Sequence, residues 1–185
     1  MIGCGIRRFT VITSWLGERI EQHLLSLSDI PGDVRFAVIR ESKPMGNIGS
    51  LARLAAAGKP VLFAFGDLVT DLDFAELVFM HRKLGAQATL TSHYETHQLT
   101  LGELLVRDGY VNDYQEKPVK QFLICSGIAV FEPELLDLID PNRPCGISDL
   151  IKAALAHSFK VAHWTHGTFW VDINDRDALR VQKWK

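Results

Sequence analysis

PVLFAFGD, residues 60–67, is the stretch of sequence that decides the fold class. Its first six residues, Pro60 to Phe65, form a continuous apolar run, which is typical of a strand buried on both faces in the middle of a sheet. Gly66 allows the backbone to bend sharply after that strand. Because ligands of open parallel sheets bind at the carboxyl ends of the strands, Asp67 is the first candidate for a functional residue.

The segments before this stretch alternate short strand-like runs with longer amphipathic runs. Strands are predicted over Arg8 to Thr13 and over Val34 to Arg40, and a helix is predicted between them from about Trp15 to Leu25. A further helix is predicted after the glycine-containing turn KPMGNIG, residues 43–49. Strands that alternate with helices are typical of a sheet with crossover helices, so this half of the chain predicts an α/β fold.

The segments after Asp67 begin with a helix and continue as a series of strands. A helix is predicted with Thr70 or Asp71 as its N-cap, because the apolar residues Phe74, Leu77, Val78 and Leu84 recur at helical spacing. Beyond it, strands without long helices between them are predicted for the runs ATLTSH, GELLV, YVNDYQE and FLICSGIAVF. The chain therefore predicts one α/β domain with a mixed central sheet flanked by helices.

Composition narrows the class of partner. The chain has 185 residues, 20 Lys and Arg against 22 Asp and Glu, and no basic cluster, so neither a nucleic acid nor an anionic membrane is expected as a partner. The apolar runs are too short to span a bilayer and the N-terminus lacks a signal-peptide pattern, which predicts a cytoplasmic protein. The three cysteines show no metal or disulfide spacing. A small molecule is the expected ligand.

Two aspartates follow predicted strands. Asp67 follows PVLFAFG, and Asp172 follows TFWV near the end of the chain. If the fold brings them together, the two carboxylates would suit a hard divalent cation such as Mg²⁺ that also holds substrate phosphates. The alternative is that each aspartate caps a turn or helix, and spacing alone leaves both interpretations open.

Two further segments combine residues that suit phosphate or hydroxyl binding. Glu116 and Lys117 end a predicted strand, where the lysine could face a phosphate and the glutamate could accept hydrogen bonds from hydroxyls. An exposed ion pair is the alternative. Gly46 and Gly49 lie near the start of a predicted helix, where backbone N–H groups could receive a polar ligand or a phosphate. A simple turn with an N-cap explains these glycines equally well.

These segments, in this order and at these spacings, resemble the sugar-1-phosphate nucleotidyltransferase family. KPMGNIGSL resembles the family segment P-L-G-T-A-G-A-L, and VLFAFGDLVTDLDF resembles its strand ending in Gly-Asp. YQEKP, ICSGIAVFEPELL and FWVDINDRDAL resemble E-K-P, N-A-G-I-Y-V-F and W-x-D-I-G-x-P-E-D-L. The resemblance runs from about Gly5 to Leu179. It implies a Rossmann-like nucleotidyltransferase fold and an enzyme of the EC 2.7.7 type.

The resemblance also implies a reaction and roles for the acidic and basic residues. The family joins a nucleoside triphosphate and a sugar-1-phosphate to a nucleotide sugar, with release of pyrophosphate. Asp67 and Asp172 would then hold Mg²⁺, and Asp67 and Lys117 would be the catalytic residues. Lys117 would neutralise the sugar phosphate, and Glu116 would bind sugar hydroxyls.

The resemblance also implies roles for four glycines. Gly46 and Gly49 would lie under the base, and Gly102 and Gly127 would let the sugar approach the backbone from two sides. The sugar remains unassigned, because Cys125 stands where the family commonly has an asparagine that contacts the sugar. The base remains unassigned, because base choice in the family depends largely on the first loop, which has no counterpart here, and on loop backbone geometry. The oligomeric state is also left open, with a homo-oligomer as one option.

The family's triphosphate-binding loop, G-x-G-x-R, has no counterpart in the sequence. Gly3, Gly5 and Arg7 have the right spacing, but only Met1 and Ile2 precede them, so no strand leads into a loop. We therefore expect an N-terminally incomplete domain over residues 1–185, which lacks the family's first strand, loop and helix, and impaired turnover. A non-catalytic sugar-nucleotide-binding or regulatory subunit is the alternative, and the sequence does not decide between a truncated enzyme and a degenerate relative.

The histidine and cysteine patterns indicate a function less strongly than the motifs above. His93 and His97 are four residues apart in a predicted strand and loop, and we do not expect this spacing to place them on one face or to form a zinc site. Cys125 lies in an apolar run, which predicts a buried, unreactive thiol.

Overall fold

The structure, a computed structural model, describes residues 1–173 and has an α/β architecture. The strands are β1 (Arg8–Thr13), β2 (Arg35–Arg40), β3 (Val61–Ala64), β4 (Leu68–Thr70), β5 (Ala88–Gln98), β6 (Glu103–Arg107), β7 (Tyr110–Gln115), β8 (Val119–Phe131), β9 (Val161–Thr165) and β10 (Trp170–Asp172). The helices are α1 (Gly17–Ser26), α2 (Ala52–Ala55), α3 (Phe74–Leu84), α4 (Pro133–Leu136) and α5 (Ile147–Ala156). Among the described residues, no helix has the length and apolarity needed to cross a membrane. The sequence also predicts a short helix over Arg176 to Val181, which lies outside the described residues.

Parallel and antiparallel strand pairs both occur, as a mixed α/β fold requires. β1 and β2 are parallel, β4 and β10 are antiparallel, and β6 and β7 form an antiparallel hairpin. The largest sheet has the strand order β3-β8-β5-β9. The predicted mixed α/β class is therefore confirmed.

The position of β3 within that sheet differs from the sequence expectation. The apolar run predicts a central strand, but β3 lies at one end of the four-stranded order within the described part of the chain. Of its four residues only Phe63 is buried. The strand with the continuous buried run is β8, whose residues from Ser126 to Phe131 are all buried because β8 has neighbours on both sides.

The chain divides into two compact units. The first comprises Met1–Ala64, Asp73–Thr89 and Ala129–Ala162, and the second comprises Phe65–Leu72, Leu90–Ile128 and the residues from His163 onward. Of the predicted site residues, Gly46 and Gly49 belong to the first unit and all others to the second.

In the first unit, β1 and β2 confirm the predicted strand–helix–strand start of the chain. Arg8 lies opposite Arg35 and Thr13 opposite Arg40, in a parallel register that α1 connects. The core of this unit contains side chains that are at most 3% exposed: Leu77 on α3, and Phe131, Leu135, Leu136, Ile139 and Leu150 further along the chain. Burial of such large apolar side chains is the main stabilising contribution to the unit.

The N-cap of α3 is Asp73, and the predicted caps Thr70 and Asp71 are wrong. One carboxylate oxygen of Asp73 accepts hydrogen bonds from the backbone N–H groups of Ala75 and Glu76, at 2.8 and 3.1 Å. Thr70 is instead the last residue of β4. The apolar pattern did not indicate β4, which occupies Leu68–Thr70, so the helix begins later than the predicted caps implied.

Replacing Asp73 with alanine should lower the free energy of unfolding by about 1 kcal/mol, because two N–H groups of the first helical turn lose their acceptor. Urea denaturation measures the change. Asp71→Ala is the matched control, since Asp71 is also exposed and lies two residues earlier. Equal losses of stability in the two variants would contradict the assignment of the cap.

Candidate functional site

The two predicted metal ligands lie at the same end of one short β-ladder in the second unit. In the antiparallel pair of β4 and β10, Leu68 lies opposite Asp172. The ladder continues for one more bond, in which the N–H of Ile173 donates to the carbonyl of Asp67 at 2.9 Å. The backbones of Asp67 and Asp172 therefore lie on adjacent chain segments, and a cation site shared by their carboxylates stays a prediction.

The two carboxylates differ in environment. Asp67 is exposed to solvent, whereas Asp172 is half-buried. The Oδ1 atom of Asp172 is shielded from solvent and has no hydrogen-bond partner among residues 1–173. An ionised oxygen without a partner is costly to bury, so this atom requires a cation or a donor from outside the described residues.

These residues fit a magnesium ion that is shared with substrate. Mg²⁺ is commonly held by one or two carboxylates and completes its octahedral shell with water and substrate phosphates. Within residues 1–173, no group of three or more His, Cys, Asp and Glu side chains is placed to hold a metal ion. A cage built from protein ligands alone is therefore not what Asp67 and Asp172 offer in the described part of the chain.

Glu116 and Lys117 occupy the turn between β7 and β8. The Glu116 carboxylate accepts a hydrogen bond from the hydroxyl of Tyr114 at 2.7 Å, and this bond raises the pKa of Tyr114. Lys117 is exposed, adopts a left-handed backbone conformation with φ 45°, and forms no salt bridge within the described residues. The alternative of an ion pair between these two neighbours is thus not what the structure contains.

Tyr114 also connects Gly102 to this turn, and the sequence analysis missed it. A β-carbon on Gly102 would lie 2.1 Å from the Tyr114 hydroxyl oxygen, so glycine is needed for the tyrosine to reach Glu116. The signal was present in YQE, because residues two apart on a strand point to the same side. Gly102 and Glu116 are brought together through one tyrosine.

Gly127 packs against the segment that leads to Asp67. Its φ of 71° is in the left-handed region, and a β-carbon there would lie 2.7 Å from the ring of Phe65. The carbonyl of Gly127 accepts a hydrogen bond from the N–H of Phe65 at 3.1 Å. Glycine is required here by close packing, and the predicted approach of a sugar to Gly127 stays a prediction.

Gly46 and Gly49 are explained by packing within the first unit. Gly46 has φ 74°, and a β-carbon on it would lie 2.5 Å from the carbonyl oxygen of Cys145. The N–H of Cys145 donates to the Met45 carbonyl at 2.9 Å, and the N–H of Ile48 donates to the Cys145 carbonyl at 3.2 Å. The predicted role of both glycines under a base stays a prediction.

A cavity of about 710 Å³ lies beside Asp172 in the second unit. Most of its lining was not singled out from the sequence: His93, Tyr94, Glu95, His166, Gly167, Thr168, Trp170 and Val171 accompany Asp172. Aromatic, carboxylate and imidazole groups in one concave surface are typical of a site for a polar small molecule.

Glu95 joins two histidines along one face of β5, and the sequence argument about their spacing was wrong. Its two carboxylate oxygens lie 3.2 Å from Nε2 of His93 and 2.9 Å from Nε2 of His97, and the bonds to His97 and His93 lower the pKa of Glu95. In a continuous strand, residues two and four apart point to the same face.

His166 is buried in the wall of this cavity. Its Nε2 atom lies 2.9 Å from the Ser126 hydroxyl and its Nδ1 atom 3.0 Å from the Thr168 hydroxyl. Burial, and then the neighbouring His93, lower the pKa of His166. Cys125, one residue from Ser126, is exposed and not buried as expected, because the outer half of β8 is largely open to solvent.

The comparisons with known proteins agree with this geometry. A family model described as nucleotidyl transferase matches residues 1–182. The chain therefore belongs to the nucleotidyl transferase family, and the resemblance found from the sequence motifs is confirmed.

The names of two curated relatives specify a nucleotide and a sugar-1-phosphate. A mannose-1-phosphate guanylyltransferase catalytic subunit beta of Drosophila pseudoobscura pseudoobscura is 28% identical over 94% of this chain and 48% of its own length. A glucose-1-phosphate cytidylyltransferase of Salmonella typhimurium is 30% identical over 73% of this chain and 51% of its own length. The chain thus spans about half the length of these relatives.

Solved structures share the fold. HddC from Yersinia pseudotuberculosis superimposes with a TM-score of 0.68 at 17% identity, over 97% of this chain and 79% of the other. Its complex with GMP-PN gives a TM-score of 0.70 at 15% identity, with the same coverage. The Rossmann-like nucleotidyltransferase fold is confirmed.

Gly127→Ala should destabilise the chain more than Gly109→Ala. Both glycines have a left-handed φ, but a β-carbon at Gly109 meets no atom of the described residues within 4 Å. The conformational cost of about 1 kcal/mol is common to both, and the crowding at Phe65 should add about 1–3 kcal/mol at Gly127 alone. Thermal and urea denaturation measure the difference. Similar values for both variants would show that the contact with Phe65 relaxes without cost.

Proposed function

We propose that this chain is part of a Mg²⁺-dependent sugar-1-phosphate nucleotidyltransferase, acting in the cytoplasm on a nucleoside triphosphate and a sugar-1-phosphate. Family membership and the names of the curated relatives support the reaction class. The structural observation that carries the proposal is the pair Asp67 and Asp172 at one end of a ladder, with a buried oxygen on Asp172 that has no partner among residues 1–173.

The proposed reaction transfers the nucleotidyl group directly between the two substrates and forms no covalent bond to the protein. A phosphate oxygen of the sugar-1-phosphate forms a new bond to the α-phosphorus of the nucleoside triphosphate, and the bond from that phosphorus to the bridging oxygen of the β-phosphate breaks. Pyrophosphate leaves with the electron pair. The attacking oxygen is already anionic, so the protein needs no general base and contributes by positioning and by neutralising charge.

Asp67 and Asp172 would hold the metal ion, which when bound neutralises charge on the reacting phosphates. Lys117 would contact the phosphate of the sugar-1-phosphate, since its ammonium group is exposed and not engaged with a carboxylate in the described part of the chain. Its left-handed backbone is uncommon for a residue with a side chain, which supports a functional constraint at this turn.

Glu116 would recognise the sugar. Tyr114 donates to its Oε2 atom, which fixes the carboxylate while Oε1 has no partner among residues 1–173 and can accept from a sugar hydroxyl. Gly102 and Gly127 would let the sugar approach the backbone beside it. Gly46 and Gly49, in the first unit, would lie under the base.

Calorimetric titration with GDP-mannose and CDP-glucose, with and without Mg²⁺, tests the proposal on the whole chain. We expect saturable binding of a nucleotide sugar that Mg²⁺ strengthens. A pyrophosphate-release assay with GTP or CTP and the matching sugar-1-phosphate then separates an enzyme from a non-catalytic binding subunit. Absence of binding heat with every nucleotide sugar, with metal present, would overturn the proposal.

Asp172→Asn should remove most of the dependence of that binding on Mg²⁺, with at least about a tenfold loss of affinity in its presence, because a neutral amide replaces a charged metal ligand. Asp71→Asn is the matched control, since Asp71 is an exposed aspartate just after β4. Titrations at fixed nucleotide sugar and varied Mg²⁺ measure the effect. A metal dependence unchanged from the unsubstituted chain would exclude Asp172 as a ligand.

A further inference from the structure

Ser126 is a fully buried polar residue that the proposed reaction does not use. Its hydroxyl lies between two imidazoles, 2.8 Å from Nδ1 of His93 and 2.9 Å from Nε2 of His166. Its carbonyl accepts a hydrogen bond from the indole N–H of Trp170 at 2.8 Å. One residue of β8 thus contacts side chains from β5, from the loop after β9 and from β10.

The indole ring of Trp170 is held by packing against its face as well as by the hydrogen bond that its N–H donates. The His93 ring lies against it, with centroids 4.4 Å apart. Trp170 precedes Asp172 by two residues on β10, and residues two apart on a strand point to the same face. Contacts that fix the indole therefore also hold the stretch of β10 from which the Asp172 side chain extends.

The next residue, Gly127, contacts the other aspartate segment. Its carbonyl accepts from the N–H of Phe65, two residues before Asp67, and its lack of a side chain allows the Phe65 ring to pack closely. The dipeptide Ser126-Gly127 is therefore bonded on one side to the strand that bears Asp172 and on the other side to the segment that bears Asp67.

The hydroxyl of Ser126 cannot be removed without consequence. A serine hydroxyl has one proton to donate, so it can donate to one imidazole nitrogen only and must accept from the other. Without the hydroxyl, both His93 and His166 would have a ring nitrogen without this partner in a largely buried site. Unpaired buried polar groups are costly, so the rings would move, and Trp170 would lose its support from His93.

We infer that Ser126 is a positioning residue for the metal-binding pair: its hydroxyl and carbonyl fix β10 against β8 so that Asp172 lies beside Asp67. Within residues 1–173 Ser126 forms no hydrogen bond to either aspartate side chain, and it acts through His93, His166 and Trp170. The inference rests on the proposed role of Asp67 and Asp172 as metal ligands.

Binding of Mn²⁺ alone, followed by electron paramagnetic resonance of the free ion, tests the inference without substrates. Ser126→Ala should bind Mn²⁺ about tenfold more weakly than the unsubstituted chain, since partners that orient metal ligands typically have effects of this size or larger. Thermal denaturation of the same samples reports the effect on stability.

Ser92→Ala is the matched control. Ser92 is buried in the same unit, and its hydroxyl lies 3.3 Å from Nδ1 of His163 and 3.1 Å from the hydroxyl of Thr165. Both substitutions should lower the melting temperature, but only Ser126→Ala should weaken Mn²⁺ binding. If both variants bind Mn²⁺ as tightly as the unsubstituted chain, Ser126 has a structural role only and the inference is overturned.

Two reference variants complete the experiment. If Asp172→Asn binds Mn²⁺ like the unsubstituted chain, the proposed metal pair is wrong and the positioning role falls with it. If Asp172→Asn binds Mn²⁺ weakly and Ser126→Ala binds it as tightly as the unsubstituted chain, only the positioning role falls.

If Ser126→Ala fails to fold, Trp170→Phe is tested in its place. This substitution keeps an aromatic ring against His93 and removes the N–H bond to Ser126. Weaker Mn²⁺ binding by Trp170→Phe supports the inference, and unchanged binding overturns it.

Discussion

The antiparallel pairing of β4 with β10 is the interaction on which the candidate site depends. It joins segments about a hundred residues apart in sequence and places Asp67 and Asp172 at one end of the same ladder. The ladder is short, and three register pairs would hold a strand only weakly without side-chain support. That support comes from β8, which bonds to Trp170 on one strand and to Phe65 before the other.

Most of the secondary structure could be predicted because the periodicity of apolar residues was clear. β1 begins and ends at the predicted residues, and the run of strands from β5 to β8 was identified. The position of β3 in the sheet was not predicted, because a continuous apolar run indicates strand length and apolar character but not how many neighbours the strand has. The start of α3 was missed because several polar residues could serve as the cap.

The candidate site was predicted only where sequence motifs carried it. Asp67 and Asp172 were identified because both follow apolar strands and match family segments, and the structure brings them together. Tyr114, Ser126 and His166 were missed because their importance lies in contacts between distant segments. The grouping of His93 with His97 was missed for a different reason: a helical criterion was applied to residues of a strand, where alternation governs the face.

Oδ1 of Asp172 has no partner in the described part of the chain, and a cation that binds there would link folding to the ionic composition of the solution. Burial of a charge without a partner raises the free energy of the folded state, and any cation that binds there and not to the unfolded chain lowers it by mass action. The stability of the folded chain and its affinity for a cation would then both depend on Oδ1 of Asp172. A substitution that relieved the buried charge would make the apo chain more robust and, for the same reason, less able to bind a cation.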